Sequence, residues 1–249
     1  MREWIYGRNP VYETLRANRR HIFRLIVLQS VQDKSRLTEI SNICLDRKIP
    51  VERVARKRLD RFGNEHQGIA LEVDPYPYCD VQDILINASN QKEPAFILIL
   101  DTLQDPQNLG TLLRTAEIVG VHGIILPTRR SATVSPAVVS SSSGASEHLL
   151  VSQANIAQTI ATLKERGIWV IGLEGAANAP TPDQVQLDVP LALVVGNEAQ
   201  GMRPLVRNSC DLLTRLPMRG KIGSLNAAVA GSICLYFAWQ MRGFREADC

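Results

Sequence analysis

The sequence predicts an α/β protein: a small N-terminal α/β module followed by a larger C-terminal one with a mostly parallel sheet. Three observations predict it. From Pro94 onward, short apolar runs alternate with segments of helical period. Apolar runs such as Phe96–Leu100 and Leu191–Val195 are nearly continuous, as in strands covered on both faces. The charge also divides. Residues 1–73 hold 15 Lys and Arg against 9 Asp and Glu, a net +6, and residues 74–249 hold 13 against 16, a net −3, which together make the chain's +3.

In the first module, Asn9-Pro10 opens a helix running to Arg16, because proline suits the first helical turn. Ile22–Leu28 reads as a buried strand. Leu37, Ile40, Ile43 and Cys44 recur at helical spacing and predict a helix that ends before Pro50. Residues 51–54 form a short strand, 55–62 a very basic short helix, and 69–73 a closing strand. The sum is a small α/β sandwich of roughly 70 residues, near the lower limit for independent folding. Asp74-Pro75-Tyr76-Pro77-Tyr78 breaks regular structure, since each proline lacks a donor and pushes its predecessor to extended geometry. Residues 74–93, with one short helix at 81–87, read as a linker. Strands are then expected at 96–100, 123–126, 168–173, 191–195 and 211–216, and helices at 107–119, 135–142, 153–166, 203–208 and 225–241. The expected domains are therefore 1–73 and 94–249.

Composition narrows the function. A hydrophobic fraction of 45% and a charged fraction of 21% are ordinary for a globular protein. No apolar run approaches the roughly 20 residues that span a membrane, and Met1-Arg2-Glu3-Trp4-Ile5-Tyr6 lacks the apolar core of a secretory signal. A cytoplasmic location is expected, with organellar import left open. Cys44, Cys79, Cys210, Cys234 and Cys249 form no Cys-x-x-Cys pair and have no histidine at ligand spacing, so no metal is expected. Cys44 and Cys234 sit in apolar helical patterns as buried fillers. The basic first module suits a polyanion, or is simply a solvated charged face. His21, His66, His122 and His148 have no paired acid at useful spacing and read as ordinary surface or core residues.

Three loops at strand ends carry the chemistry. They are Asp105-Pro106-Gln107-Asn108-Leu109-Gly110, then Gly196-Asn197-Glu198-Ala199-Gln200-Gly201-Met202, then Leu216-Pro217-Met218 through Gly223-Ser224-Leu225-Asn226. Open α/β sheets bind ligands at the carboxyl ends of their strands. Asp105 can cap the following helix, with Pro106 in its first turn. Asn108 and Arg114 are about 600° of helical rotation apart, so they meet only through a bridging substrate or if the helix starts later. Otherwise Asn108 is a cap and Arg114 a surface charge. Gly196 permits close approach of a ligand to backbone, or makes a plain tight turn. Ser224 is a natural N-cap for the last helix, which leaves Asn226 in the first turn in want of a polar partner. No Gly-x-Gly-x-x-Gly follows a strand, and Gly172-Leu173-Glu174-Gly175 is too short to serve as one. A Walker phosphate loop and a nucleophile elbow are both missing.

At these loops the chain resembles the SpoU-type (TrmH-like) RNA 2′-O-ribose methyltransferases of the SPOUT superfamily. Residues 105–120 match that family's first motif, 194–202 its second and 216–230 its third. The Tyr6-Gly7-Arg8-Asn9-Pro10-Val11 start and His66-Gln67-Gly68-Ile69-Ala70 resemble its L30e-like RNA-binding domain. Nearly the whole chain is covered, and the nearest subgroup methylates a guanosine of 23S rRNA. The resemblance implies a deep trefoil knot, a homodimer and S-adenosylmethionine as cofactor. By similarity Gly196, Leu216 and Leu225, with Asn197, Gly201 and Met218, contact the cofactor. Asn108, Arg114, Glu198, Ser224 and Asn226 match the functional polar positions. Arg8, Arg114, Arg129 and Arg130 fall on the RNA side, as does the 140–144 serine tract.

The resemblance casts Arg114 as the base that activates a ribose hydroxyl. Arginine is effectively always protonated, so a phosphate clamp beside the target ribose is the physically simpler role. Two other functions stay open at this point: methylation of tRNA, and a non-catalytic role in RNA binding or ribosome assembly.

Overall fold

The computed structural model describes residues 2–30, 36–175, 178–198 and 200–245. In chain order the first elements are β1 (Glu3–Tyr6), α1 (Arg8–Ala17), β2 (Ile22–Leu28), α2 (Arg36–Asp46), β3 (Val51–Val54), α3 (Arg56–Leu59) and β4 (Ile69–Val73). Then come α4 (Val81–Asn90), β5 (Phe96–Leu100), α5 (Pro106–Ile118), β6 (Gly123–Pro127), α6 (Pro136–Ser141) and β7 (Val151–Ala154). The chain continues with α7 (Ile156–Glu165), β8 (Trp169–Leu173), β9 (Leu191–Val195), α8 (Pro204–Ser209), β10 (Leu212–Thr214) and α9 (Ala227–Met241). No helix among the described residues is long and apolar enough to cross a membrane.

Backbone contacts gather the chain into two compact units. The first holds the chain up to Pro77 together with Val134–His148, and the second holds Tyr78–Thr133 and the chain from Leu149. These units cut across the expected boundaries of 73 and 94. Helix α4, expected within a linker, buries Ile84 and Leu85 in the core of the second unit. Residues 134–148, expected in the C-terminal domain, belong to the first.

In the first unit a four-stranded sheet runs in the order β1-β4-β2-β3. Strand β4 is antiparallel to both β1 and β2, while β3 runs parallel to β2. Strand β1 was not expected from sequence, because four residues alternating about a single buried Ile5 give too short a period-two signal. Helix α1 ends where Asn18 turns left-handed (φ 51) and donates to Thr14 O. The deepest polar contact is an ion pair. Arg20 meets Glu147 through both carboxylate oxygens, Nη2–Oε1 at 2.7 Å and Nε–Oε2 at 2.8 Å, with side chains 0% and 1% exposed. Arg20 also donates to Glu3 Oε2 at 2.7 Å and to Asp74 O at 3.2 Å. Burial pushes the Glu147 carboxyl above its ordinary value, with the Arg20 charge pulling the other way.

The second unit carries a six-stranded sheet, β10-β8-β9-β5-β6-β7, in which every pairing is parallel. Strands β5 and β9 are buried along their whole length, which explains their unbroken apolar sequences. Side chains of α4, α7 and α8 fill one core with alternate residues of β5, β6, β8 and β9. Helices α5 and α9 pack together. A Cβ on Gly231 would lie 2.7 Å from Leu112 Cδ2, so a larger residue there would have to push that side chain aside. Strand β7, not expected from the sequence and overlapping the expected helix 153–166 only at its last two residues, pairs with β6. Cys44 and Cys234 are buried, and burial pushes their thiols up to about 11 and about 12.

His122 is buried at the entry to β6. Its Nδ1 accepts from Phe96 N–H at 2.9 Å, which demands the neutral ring at that nitrogen, and its Nε2 finds no partner among the described residues. Burial holds its pKa down, with the Arg242 charge acting in the same sense and Glu93 against it.

Two outcomes follow for stability. Glu147→Ala should destabilise the protein by about 3 kcal/mol, because it removes the two-bond partner of the buried Arg20 and leaves Glu3 as its carboxylate. The double variant Arg20→Met/Glu147→Met should recover much of that loss in urea unfolding. For His122 the folded pKa lies below the unfolded one, so the unfolded chain takes up a proton first as pH falls. Stability should be complete above about pH 6.5 and should decline as pH drops below it toward the folded value. His122→Gln should flatten that part of the urea-midpoint profile.

Candidate functional site

The sheet order fixes where a site can form. From β5 the chain winds outward through β6 to β7, then crosses to β8 and returns through β9 beside β5. The carboxyl ends of β5 and β9 are thus a topological switch point, where loops diverge and leave a crevice. The loops after β5, β8, β9 and β10 all leave from this edge.

The loop after β5 begins with Asp101, fully buried, whose N–H extends the ladder to Val195 O at 2.8 Å. Its carboxylate accepts from Arg203 N and Arg203 Nε, each at 2.8 Å. Asp105 then caps α5 by accepting from Gln107 N at 3.0 Å, with Pro106 at the first helical position. In the loop after β9, Asn197 and Gly201 exchange two backbone hydrogen bonds of 3.0 and 2.9 Å. A Cβ on Gly196 would lie 2.4 Å from both Gly201 C and Met202 N, so the residue must be glycine. Gly201 needs its freedom for a different reason, a φ of 67°. Asn197 Nδ2 reaches back to Thr102 O at 3.0 Å, which ties this loop to the first. Ala199 lies outside the described residues.

Beyond β10, Thr214 Oγ1 and Arg215 N both donate to Pro180 O, at 2.9 and 3.1 Å. They hold the segment that follows β8. Arg207 Nε bonds both oxygens of Glu174, at 2.9 and 2.8 Å, just past the end of β8. Residues 217–226 are exposed. Helix α9 starts at Ala227, and its cap is Asn226, whose Oδ1 accepts from Ala228 N at 2.9 Å and Val229 N at 3.2 Å. Ser224, expected as the cap, lies two residues before it.

These loops enclose a cavity of about 180 Å³. Gly196, Asn197, Glu198, Gly201, Leu216, Met218, Ser224 and Leu225 line it, together with Leu173, Glu174 and Gly175. All six expected cofactor contacts therefore line one cavity, drawn from the loop after β9 and the segment after β10. The Gly172–Gly175 stretch, set aside as a dinucleotide motif, forms part of its wall. Glu174 and Arg207, like Asp101 and Arg203, escaped the sequence reading. A lone acid directly after an apolar strand was the available signal for Asp101 and Glu174.

A directed chain of amides leads to the cavity. The helix N–H groups require Asn226 to present Oδ1 to them, so its Nδ2 points away and donates to Asn108 Oδ1 at 3.0 Å. That orientation commits Asn108 Nδ2 to Glu198 Oε1, at 2.5 Å. Three expected polar positions thus form one network. Arg114 stands exposed on α5 and does not line the cavity. Arg129 and Arg130 are exposed after β6, with Arg130 at φ 59°. Their loop is fastened to Leu103 O by Ser131 Oγ at 3.0 Å and Ala132 N at 2.8 Å. Arg8 belongs to the first unit. The 140–144 tract is no exposed loop: Ser142 is buried, and a Cβ on Gly144 would lie 2.6 Å from Glu13 Cβ. Among the described residues no group of His, Cys, Asp and Glu could hold a metal ion.

Comparison with known proteins adds to this geometry. The sequence model of the SpoU rRNA Methylase family matches residues 95–236, and that for RNA 2′-O ribose methyltransferase substrate binding matches residues 4–79. A protein of Bacillus subtilis (strain 168), described as of the TrmH family of tRNA/rRNA methyltransferases, is 38% identical over 242 residues, covering 96% of each chain. The crystal structure of the SpoU methyltransferase AviRb from Streptomyces viridochromogenes, in complex with AdoMet, superposes with a TM-score of 0.79 at 22% identity, over 96% of this chain and 89% of that one. An AdoMet-bound rRNA methyltransferase from Sinorhizobium meliloti gives 0.78 at 23% identity, over 96% and 87%. At such identities the two structures speak to the fold.

The two loop glycines should fail differently when replaced. Gly196→Ala should cost about 1–3 kcal/mol by overpacking. Gly201→Ala, with open space around it but a left-handed backbone, should cost about 1 kcal/mol. Chemical denaturation of the two variants should rank them in that order.

Proposed function

This chain belongs to the SpoU rRNA Methylase family, and on that premise we propose that it moves a methyl group from S-adenosylmethionine to a ribose 2′-hydroxyl of structured RNA. The observation that carries the proposal is the convergence, at the switch point, of the Gly196–Leu216–Leu225 cavity with the Asn226–Asn108–Glu198 chain. The cavity's chemistry fits the donor. Leu216, Met218 and Leu225 offer apolar walls to an adenine ring, and the close-packed Gly196 leaves backbone groups bare for polar contact. Glu198 and Glu174 put carboxylates at the rim, where a sulfonium charge is stabilised. When bound, the donor supplies a methyl group activated by positive sulfur.

The chain's own residues then have to orient a weak nucleophile. An in-line attack by a ribose oxygen needs positioning and partial loss of a proton, with no covalent intermediate on the protein. Glu198 suits the hydroxyl better than Arg114 does. One carboxylate oxygen is fixed by Asn108, which leaves the other to accept the hydroxyl's hydrogen bond. Arg114, permanently charged, serves as a phosphate clamp beside the target, with Arg129 and Arg130 on the same edge of the sheet. Ser224 adds a hydroxyl at the cavity mouth.

A guanosine of 23S rRNA is the proposed target. The basic first module and the match of the rRNA methylase family over 95–236 support it. A tRNA target is the second reading, favoured by the paired tRNA/rRNA description of the Bacillus subtilis relative. We also propose a homodimer. Helix α9 is apolar on all sides yet exposes Val229, Ile233 and Tyr236, a face suited to a second copy. The trefoil knot, a role in rRNA processing and the cytoplasmic setting complete the reading by kinship.

Tritiated methyl transfer tests it, with unmodified 23S transcript and tRNA offered in parallel and the product mapped by primer extension. The 23S transcript should be labelled on a guanosine ribose; label on tRNA alone would overturn the target, and label on neither would overturn the activity. Glu198→Gln and Asn108→Ala should lower the single-turnover rate about 10²-fold or more; donor affinity by calorimetry should be nearly unchanged in Asn108→Ala and weakened in Glu198→Gln, which also loses a charge facing the sulfonium.

A further inference from the structure

Two features of the first unit have no part in the chemistry above: the basic stretch around α3 and an orphaned donor on Arg8. Residues 53–61 hold Arg53, Arg56, Lys57, Arg58 and Arg61 against one acid, Asp60. Some of these charges are spoken for. Arg58 pairs with Glu52, and Arg56 reaches Asp60 at 3.5 Å. Lys57 is exposed and has no ion pair among the described residues. Arg61 is held in a different way. Its guanidinium lies 4.9 Å from the centroid of the Trp4 ring and 4.6 Å from that of Phe62.

The rings beneath Arg61 form a cluster. Trp4 and Phe62 have centroids 5.3 Å apart, and Tyr6 stacks on Phe62 at 6.1 Å with 17° between planes. Strand alternation puts Trp4 and Tyr6 on one face of the sheet, opposite the buried Ile5. All three rings rest on the small core of Ile26, Val54, Leu59 and Ala70 and are only partly buried. A guanidinium held over such rings can stack a base on its other side. At the end of the same strand, Gly7 (φ 89°) turns the chain into α1, and Arg8 N–H donates to Gln67 Oε1 at 2.9 Å. Arg8 Nε is buried with no partner among the described residues. A buried donor left unmatched is unfavourable, and an anionic oxygen relieves it well.

We infer that this face is a contact site for unpaired RNA nucleotides, with bases stacking on the Arg61–Trp4–Phe62 platform and phosphates held by Lys57 and Arg8. The inference rests on the methyl-transfer reading for its RNA. It adds which surface of the first unit meets the nucleic acid and which part of the RNA it selects. Every base has a π-face, so stacking favours loops and bulges over continuous duplex without fixing a sequence.

The test uses the full chain, fluorescence anisotropy, and two labelled probes: an RNA hairpin with an open loop, and a blunt RNA duplex of the same stem. Arg61→Ala should weaken hairpin binding about tenfold and leave the duplex much less affected. Lys57→Ala should weaken hairpin binding and lower the slope of log affinity against log salt by about 0.7. Arg61→Lys should keep the parent's salt slope while losing the preference for the hairpin. Lys48→Ala, at the end of α2, removes a charge elsewhere in the same unit and should change nothing. Circular dichroism of each variant checks that it folds. Parent-like hairpin affinity in both Arg61→Ala and Lys57→Ala would overturn the site. Full recovery of hairpin preference in Arg61→Lys would overturn the stacking role. Failure of the unaltered protein to methylate any RNA is a separate result, which counts against the functional reading and not against this surface.

Discussion

The cavity depends on one constraint, that the carboxyl ends of β5 and β9 stay in register while their loops diverge. Backbone pairing carries the two strands as far as Leu100 and Val195. Past that point Asp101 takes over. Its N–H adds a rung to Val195, and its buried carboxylate gathers Arg203 at the start of α8. A carboxylate without charged donors would be expensive in that position, so Arg203 cannot drift and neither can the loop that ends with it. Asn197 adds a lock through Thr102. With both strand ends and both loops fixed, Gly196 is forced against Gly201 and Met202, and the cavity floor becomes bare backbone.

The polar chain along the rim follows from the choice of cap. Serine, aspartate and asparagine all satisfy helix N–H groups through an oxygen. Only asparagine keeps two donors on the far side of the same planar group. Asn226 therefore caps α9 and hands a donor to Asn108, which hands one to Glu198. An aspartate at 226 would cap equally well and end the chain there, leaving Asn108 free to turn over. The choice of residue at a helix start thus decides which way a carboxylate on another loop is held.

Much of this fold is legible in the sequence, for identifiable reasons. Strands β5 and β9 are unbroken apolar runs because both faces are covered, and their bounds can be read directly. Helix α5 carries its own start signal in Asp105-Pro106. Strands β1 and β7 are four residues long, and each is held by a single neighbouring strand. The loops at the strand ends announce themselves by glycine and asparagine, which do conformational work that is local. The Asp101–Arg203 and Glu174–Arg207 pairs stay hidden, since an acid and a base separated by 102 or 33 positions look like ordinary surface charges until the sheet brings them together.

Residues 134–148 show a compact unit drawing on two separate stretches of the chain. Arg20 and Glu147 stand 127 positions apart, yet they form a two-bond ion pair in the buried interior of the first unit. A chain ending near residue 73 would leave Arg20 with Glu3 alone, and one beginning at 94 would carry Glu147 with no cation at all. Closing so long a loop adds only slowly to the entropic cost, because that cost grows with the logarithm of length. Leaving a buried charge unpaired costs far more. The unit therefore recruits its last segment from the middle of the chain, and a cut between residues 73 and 94 would part Arg20 from Glu147.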